Sequence, residues 1–356
     1  MPKKLTERAE SVARILKTRF DHDGRYFLEA YVGSGVQADV YRIRKRSGAE
    51  AGAGVNFGPE RVAVKVPAPP ETHRWNHGGD LFDEKEALKL FSGAMHVVRI
   101  LEMHEGGPDG DPLSKNIEGA AVMPTKDWMY MEWLDNGNLI DFRLRAGKPP
   151  ARPVPNRLMW RIFLCLVRMV IVCAWSEVHV TGTSKLEEMQ EGHPKMIYTN
   201  TDMHGGNMVF GDFVPDSPDH EHRLSPILKM IDLGFIYKTK TETEEKWKAT
   251  VKEMTMTIGE EMRLLLEVGN RPTKDLDSDL KKIVTWCNRR KRDYCPDLEE
   301  LVPWVENAVK GRDAAWYKRE MPNMSGEALL SEEDDSIRQY VIDMIVNAST
   351  EAEAGP

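Results

Sequence analysis

The sequence predicts an α+β fold of two lobes, with a small lobe formed by an antiparallel β-sheet and one key helix, and a larger, mainly helical lobe. The length of 356 residues is about twice the commonest domain size, which favours two lobes or domains. Up to about residue 137, short segments rich in Val, Tyr and Ile are broken by Gly and Pro, as strands are. Beyond it, apolar residues recur at helical spacing over long stretches.

This change of pattern divides the chain. We predict an N-terminal helical extension at 1–24, the small lobe at 25–134, the large lobe at 135–312, and a C-terminal extension at 313–356 that ends in a disordered tail. The helix near 5–20 has apolar residues on one face, which predicts that it docks on the small lobe.

The small lobe is predicted to hold five strands and a helix. The strands are Tyr26–Val32, Val40–Arg44, Arg61–Val66, Val97–Met103 and Trp128–Trp133. Between the third and the fourth, Leu81–Phe91 has apolar residues at helical spacing and no helix breaker.

The large lobe is predicted to be helical at 155–177, 254–268, 276–290, 297–310 and 331–347. In the last of these, Ser331 precedes three acidic residues, which is typical of an N-cap followed by the first helical turn. The composition of 45–60, 104–119, 179–196 and 211–224 predicts loops.

The composition excludes several classes of partner. The formal net charge of −8 gives no overall field that attracts phosphate backbones, so we expect no nucleic acid. The most apolar window, Leu158–Trp175, is interrupted by Arg161 and Arg168, which predicts a buried core helix and no membrane span. We therefore expect a monomeric protein of the cytoplasm or the nucleus.

The four cysteines do not form a CxxC pair typical of metal sites. Because two of them lie in an apolar run and the chain is long, reduced and buried thiols are favoured over a disulfide framework. The four are Cys165, Cys173, Cys287 and Cys295.

The first motif with chemical meaning is a glycine turn followed by a lysine on a strand. Gly33 and Gly35 lie between two predicted strands, where a turn with little side chain lets backbone N–H groups approach phosphates. Lys65 stands in the middle of a Val/Ala strand, and a charge there needs a partner. Glu84 is the natural partner because it precedes Leu88 by one helical turn, and Glu86 is the alternative.

The second and third motifs carry polar groups for a hydroxyl and a metal ion. Asp202 and Asn207 are five residues apart on a glycine-containing loop, so they can converge on one point. Asp202 would accept a proton from a hydroxyl, and Asn207 would bind a metal. Asp232 ends an apolar strand before Gly234, which is a good position for a ligand of Mg²⁺.

In this order and spacing the motifs resemble those of the eukaryotic protein kinase family, from about Tyr26 to about Val305. Val62–Lys65 looks like the β3 lysine motif, and Met131–Leu139 looks like the hinge between the lobes. Asp-Leu-Gly at 232–234 is similar to the family's Asp-Phe-Gly. Pro296–Val305 is similar to its last large-lobe helix.

The resemblance implies a kinase-like fold, with ATP and Mg²⁺ as cofactors. Lys65, held by Glu84, would hold the α- and β-phosphates, Asn207 and Asp232 would hold Mg²⁺, and Asp202 would position the acceptor hydroxyl of a protein or a small molecule. The residues that would surround adenine are Val32, Val40, Ala63, Met131 and Val209, with backbone hydrogen bonds at Glu132 and Leu134.

The catalytic loop departs from that family. Asn200-Thr201-Asp202 replaces His-Arg-Asp, and without the arginine no basic pocket is expected for a phosphate on an activation loop. His204 stands where a lysine is usual, and we expect it to act as a weaker clamp on the γ-phosphate. The loop Asp-Met-His-Gly-Gly-Asn instead resembles that of the aminoglycoside and choline phosphotransferases.

The segment after Asp232 is also unusual. Residues 235–253 lack Ala-Pro-Glu, and Met254, at the predicted start of the next helix, replaces the aspartate that braces the catalytic loop in the resembled family. We expect Thr239, Thr241 and Thr243 to be solvent-exposed and to have no regulatory role.

Three functions fit this sequence. The first is an ATP-dependent protein serine/threonine kinase, favoured by the hinge motif and the order of the lobes. The second is a small-molecule kinase of the same broad fold, favoured by His204 and the short segment 235–253. The third is a nucleotide-binding pseudokinase that acts as a scaffold, favoured by the lost His-Arg pair and Met254.

Overall fold

The computed structural model describes residues 7–23, 25–35, 38–46, 60–67, 81–101, 128–176, 184–215, 220–288 and 294–347. It is a mixed α+β structure with a small antiparallel sheet and many helices. Contacts divide the chain into two compact units. The first comprises Met1–Lys89 and Val98–Trp133, and the second comprises Leu90–Val97 and Leu134–Pro356.

The elements are named here in chain order. The strands are β1 (Tyr26–Ser34), β2 (Ala38–Lys45), β3 (Arg61–Pro67), β4 (Met129–Glu132), β5 (Met196–Asn200), β6 (Met208–Phe210), β7 (Leu228–Met230) and β8 (Ile236–Lys240). The helices are α1 (Glu7–Asp23), α2 (Leu81–Leu90), α3 (Leu139–Gly147), α4 (Asn156–Ala174), α5 (Glu244–Leu266), α6 (Ser278–Trp286), α7 (Leu298–Gly311), α8 (Ala314–Glu320), α9 (Gly326–Ser331) and α10 (Asp334–Val341).

The first unit is built on an antiparallel sheet in the order β1-β2-β3-β4. The register places Val40 opposite Lys65 and Ala63 opposite Met131. These four strands confirm the predicted ones to within a few residues, because alternating apolar side chains and glycine turns determine both the strands and their ends.

Helix α1 packs on this sheet, as its apolar face predicts. Val12, Leu16 and Phe20 are buried in one core with Tyr41 and other sheet residues. The Tyr41 hydroxyl donates a hydrogen bond to the Ala9 carbonyl oxygen at 3.0 Å. The helix is thus an integral part of the core of the first unit.

The second unit is built around α4, in which every residue is buried. Helices α5 and α7 pack against it, and so do β5 and β7. The interpretation of Leu158–Trp175 as a core helix is therefore confirmed. Arg161 donates from Nη1 to the carbonyl oxygens of His220 and Glu221, and Arg168 pairs with Glu221, so both buried guanidinium groups have polar partners.

Two small antiparallel pairs in the second unit hold the loops of interest. β6 pairs with β7, so that Met208 lies opposite Met230. β5 pairs with β8, so that Asn200 lies opposite Ile236. Strands β5 and β8, like helices α3, α8 and α9, were not predicted as separate elements.

The predicted strand at Val97–Met103 is wrong over its described part. Val97 forms an isolated bridge with Met230, and Ile100 forms one with Met131. Single bridges to two different partners do not make a ladder.

The predicted start of helix α5 at Met254 is also wrong, because the helix begins at Glu244. The Thr243 hydroxyl accepts a hydrogen bond from the Lys246 N–H, and two glutamates follow it in the first turn. This is a normal N-cap with favourable charge at the helix N-terminus.

The helix predicted at 331–347 is interrupted at its start. α9 ends at Ser331, α10 begins at Asp334, and one π-helical turn follows at Ile342–Val346. Glu332 lies between the helices because its buried carboxylate accepts hydrogen bonds from the N–H groups of Asn156 and Arg157 at the start of α4. A distant helix terminus therefore overrides the local pattern.

Several other predictions concern loops, cysteines and membrane spans. The loop at 104–119, most of the loop at 45–60 and the C-terminal tail lie outside the described residues. All four cysteines are free and buried, as predicted. Within the described ranges, none of the helices combines the length and apolarity needed to cross a bilayer.

Candidate functional site

The polar centre of the first unit is an ion pair between β3 and α2. The Lys65 ammonium lies 2.8 Å from Oε1 and 2.7 Å from Oε2 of Glu84. The side chains are 7% and 0% exposed. Glu86, the alternative partner, instead forms an exposed pair with Lys89 at 2.7 Å. The predicted pairing of Lys65 with Glu84 is therefore confirmed.

The glycine turn between β1 and β2 lies beside this pair in the sheet. Gly35 donates its N–H to the Ala38 carbonyl oxygen at 2.8 Å, which closes the turn. Gly33 and Val32 are half-buried on β1, and Val40 lies opposite Lys65. Residues 36 and 37, which follow Gly35 in the sequence, lie outside the described residues.

The end of β4 carries the residues predicted to line the back of a nucleotide pocket. Met131 is buried and lies opposite Ala63. The Glu132 N–H donates to the Arg99 carbonyl oxygen at 3.0 Å, and its carboxylate accepts from the Arg99 N–H at 2.9 Å. Glu132 is therefore held firmly at the edge of the first unit. Leu134 belongs to the second unit.

The polar loop of the second unit follows β5. The Asn207 amide nitrogen donates to Oδ2 of Asp202 at 2.8 Å and to the Asp202 carbonyl oxygen at 3.1 Å. The Asp202 N–H in turn donates to Oδ1 of Asn200 at 2.9 Å. The predicted convergence of Asp202 and Asn207 is confirmed, and it fixes the direction of the Asp202 carboxylate.

His204 also lies at this carboxylate. Its Nε2 is 3.6 Å from Oδ1 of Asp202, and its Nδ1 accepts a hydrogen bond from the Gly206 N–H at 3.0 Å. The side chain of His204 is half exposed. Because Nδ1 accepts this hydrogen bond, the ring N–H lies on Nε2, which faces the loop carboxylate and any group bound beside it.

Asp232 stands at the end of β7, next to the same loop. The Ile231 N–H donates to the Asn207 carbonyl oxygen at 2.9 Å, which joins the two segments. The backbone of Asp232 has a φ of 56°, a left-handed conformation that is uncommon outside glycine and is often associated with functional sites. The β6–β7 hairpin also carries Val209, which bridges to Asn138.

A further acid, Glu261, lies close to Gly205 of this loop and is not among the predicted site residues. A Cβ atom added to Gly205 would lie 2.7 Å from Oε2 of Glu261 on α5. Glu261 is 8% exposed and accepts a hydrogen bond from Arg143 at 2.7 Å. Met254 is also buried, but it lies nearly two turns before Glu261 on the same helix. An acidic residue about two helical turns after Met254 was the signal in the sequence that could have identified Glu261.

The threonines after Asp232 have structural partners. Thr241 is fully buried and donates to the Pro194 carbonyl oxygen at 2.6 Å, so its expected exposure is wrong. Thr239 and Thr199 are linked through their hydroxyls at 2.8 Å across the β5–β8 pair. Thr243, which caps α5, is exposed as expected. The segment 233–243 is therefore a strand and a cap anchored to the second unit.

Two polar groupings therefore stand on the two units. The first unit brings together Lys65 and Glu84, and the second brings together Asp202, His204, Asn207 and Asp232. No protein-family model matches the chain, and a search of curated proteins found no match.

Proposed function

We propose that the chain is an ATP-dependent phosphotransferase that transfers the γ-phosphate of ATP to a hydroxyl group with the help of Mg²⁺. The observation that carries this proposal is the buried pair of Lys65 and Glu84. Burying two charges costs several kcal/mol of desolvation per ion, about as much as their attraction returns, so apolar residues would stabilise the core equally well. A role for Lys65 in binding an anionic ligand therefore explains the buried pair better than a contribution to the stability of the fold does.

The second unit supplies the groups that such a reaction needs. The amide nitrogen of Asn207 donates a hydrogen bond to Asp202, so the side-chain oxygen of Asn207 is the atom that would bind a cation. Asp232 comes two residues after Met230 in the chain. Met230 lies opposite Met208, the residue after Asn207, in the β6–β7 pair. Two oxygen donors from adjoining segments suit Mg²⁺, which keeps waters and phosphate oxygens as its other ligands. When bound, Mg²⁺ would neutralise charge on the phosphates.

Asp202 would accept the proton of the attacking hydroxyl. Its carboxylate is oriented by Asn207, and its backbone is held by Asn200, so little reorganisation is needed as the reaction begins. His204 would lie beside the incoming phosphate. Positioning and charge neutralisation would supply most of the rate.

The acceptor hydroxyl can belong to a protein Ser or Thr or to a small molecule. One observation favours the small molecule. The segment 233–243 is anchored by β8, by the buried Thr241 and by the cap of α5, so it offers little chain with which to build a peptide platform.

The experiment is an ADP-release assay with MgATP on the purified full chain. One arm adds a generic basic protein as acceptor, and the other adds a panel of amino sugars and amino alcohols. Turnover that Asp202→Asn abolishes supports the proposal, and the arm in which it occurs identifies the acceptor class. MgATP binding without turnover in either arm would favour the pseudokinase, and no binding at millimolar MgATP would contradict all three functions.

A further inference from the structure

A buried cluster of His96, Cys165 and His222 lies in the second unit. The three come from the segment after α2, from α4 and from the segment before β7, and are 0%, 2% and 5% exposed. Nε2 of His96 is 3.2 Å from Nε2 of His222, which is 3.6 Å from Sγ of Cys165. All three ligand atoms lie within 4.8 Å of one another.

We propose that His96, Cys165 and His222 form a binding site for a zinc ion. With Zn–N bonds of about 2.05 Å and a Zn–S bond of about 2.3 Å, tetrahedral angles place two nitrogens about 3.3 Å apart and nitrogen and sulfur about 3.6 Å apart. The 3.2 Å and 3.6 Å separations in the protein match both values. The fourth position is left for a water molecule.

The surroundings of His96 support this site. The Glu187 carboxylate lies 2.5 Å from Nδ1 of His96 and accepts a hydrogen bond from the His96 backbone N–H at 2.7 Å. A carboxylate on the far nitrogen of a histidine orients the ring and strengthens the near nitrogen as a ligand. Nε2 of His96 therefore points to the other two ligands, where zinc would displace the proton shared with His222.

The charges of the cluster also suit a divalent cation. The carboxylate of Glu187 and the thiolate of Cys165 together balance one Zn²⁺ ion inside the protein core. Arg168, whose guanidinium donates to the Glu187 carbonyl oxygen at 2.7 Å, is balanced separately by Glu221 and Glu306. A bound ion would therefore leave no net charge buried among the three ligands and Glu187.

Cys165 differs from Cys173, which lies on the same helix, in the groups that surround its thiol. Sγ of Cys165 lies 3.6 Å from Nε2 of His222 and within 4.8 Å of the ligand nitrogen of His96, so its thiol is beside two imidazoles. Burial alone raises the pKa of Cys173 to about 12. The thiolate is the form that binds metal. Zinc would take the place of the proton between the two imidazoles, and that proton would pass to solvent.

The site would tie together three distant parts of the second unit. The His96 carbonyl oxygen already accepts a hydrogen bond from the Met230 N–H at 2.8 Å, two residues before Asp232. Because an ion that binds the folded state stabilises it, zinc would stabilise the unit that carries the polar loop. This role is independent of phosphotransfer and of any acceptor.

The test measures zinc in the full chain after incubation with one equivalent of Zn²⁺ and gel filtration. The expected content is about one zinc per chain, with a melting temperature that falls when a chelator removes it. Cys165→Ser should reduce the zinc content at least about 10-fold, whereas the matched buried control Cys173→Ser should retain it. Equal zinc content in the two variants would overturn the proposal.

A second measurement needs no variant and therefore does not depend on folding of Cys165→Ser. Co²⁺ titrated into the zinc-free wild-type chain should give the visible absorption of a tetrahedral ion and a thiolate-to-cobalt charge-transfer band. Absence of the charge-transfer band at saturating Co²⁺ would overturn the assignment of Cys165 as a ligand.

Discussion

Both oxygens of the Glu84 carboxylate accept hydrogen bonds from the Lys65 ammonium, and the Glu84 side chain has no exposure to solvent. A stabilising role and a functional role for this pair predict different behaviour when both charges are removed. Breaking a buried pair by removing one partner costs about 3–5 kcal/mol, whereas replacing both by apolar side chains is often neutral.

The first prediction uses this difference. Lys65→Met should lower the stability of the chain by several kcal/mol, within the range of about 3–5 kcal/mol for a broken buried pair. The double variant Lys65→Met, Glu84→Leu should regain most of that stability. Both should lose phosphotransfer at least about 100-fold, since the cation that meets the phosphates is gone in each. Thermal unfolding and ADP release measure the two effects.

The exposed pair on α2 provides the control. Lys89 and Glu86 are 53% and 51% exposed, so Lys89→Met should cost less than about 1 kcal/mol and leave turnover unchanged. Recovery of turnover in the apolar double variant would show that the buried pair serves stability alone.

The second prediction concerns the proton acceptor. Asp202→Asn removes the base but keeps a side chain of the same shape beside Asn207, so MgATP should still bind. Turnover should fall by about 10²–10⁴-fold, the usual contribution of a general base. Asp212→Asn, in an exposed loop position of the same unit, is the matched control and should behave as the wild type. Equal turnover in the two variants would rule out the assigned role of Asp202.

The third prediction tests the support from α5. Gly205→Ala would place its new methyl group 2.7 Å from Oε2 of Glu261 and 3.2 Å from Cγ1 of Ile140. The loop or the Arg143–Glu261 pair must therefore shift, at a cost of about 1–3 kcal/mol, and turnover should fall with it. Gly147→Ala, where no atom lies within 4 Å of the added carbon, should be neutral or slightly stabilising. An unchanged Gly205→Ala protein would mean that Glu261 does not brace the loop.

The parts of the fold that could be predicted are those that local patterns determine. Local spacing and helix or strand breakers place the first three strands and α2 within a few residues of their observed bounds. Helical geometry favoured Glu84 as the partner of Lys65, with Glu86 as the alternative. The Asp202–Asn207 contact is likewise a property of one short loop.

The parts that could not be predicted depend on contacts between distant segments. Glu332 breaks a helical pattern because the N-terminus of α4, 176 residues away, takes its carboxylate. His96, Cys165 and His222 are separated by long stretches of chain, and only the packing of α4 brings them together. The start of α5 differs, since Thr243, Glu244 and Glu245 form a local N-cap pattern that is sufficient to predict it.

The most direct test of the account is calorimetric binding of ATP to the full chain, with and without Mg²⁺, for the wild type, Lys65→Met and Asp232→Asn. In the proposed reaction, Lys65 would hold the phosphates and Asp232 would hold Mg²⁺. This proposal predicts magnesium-dependent binding by the wild type, weakened at least about 10-fold in either variant, while the Asp212→Asn control binds normally. Binding that neither variant changes, or no binding by the wild type at millimolar MgATP, would contradict it.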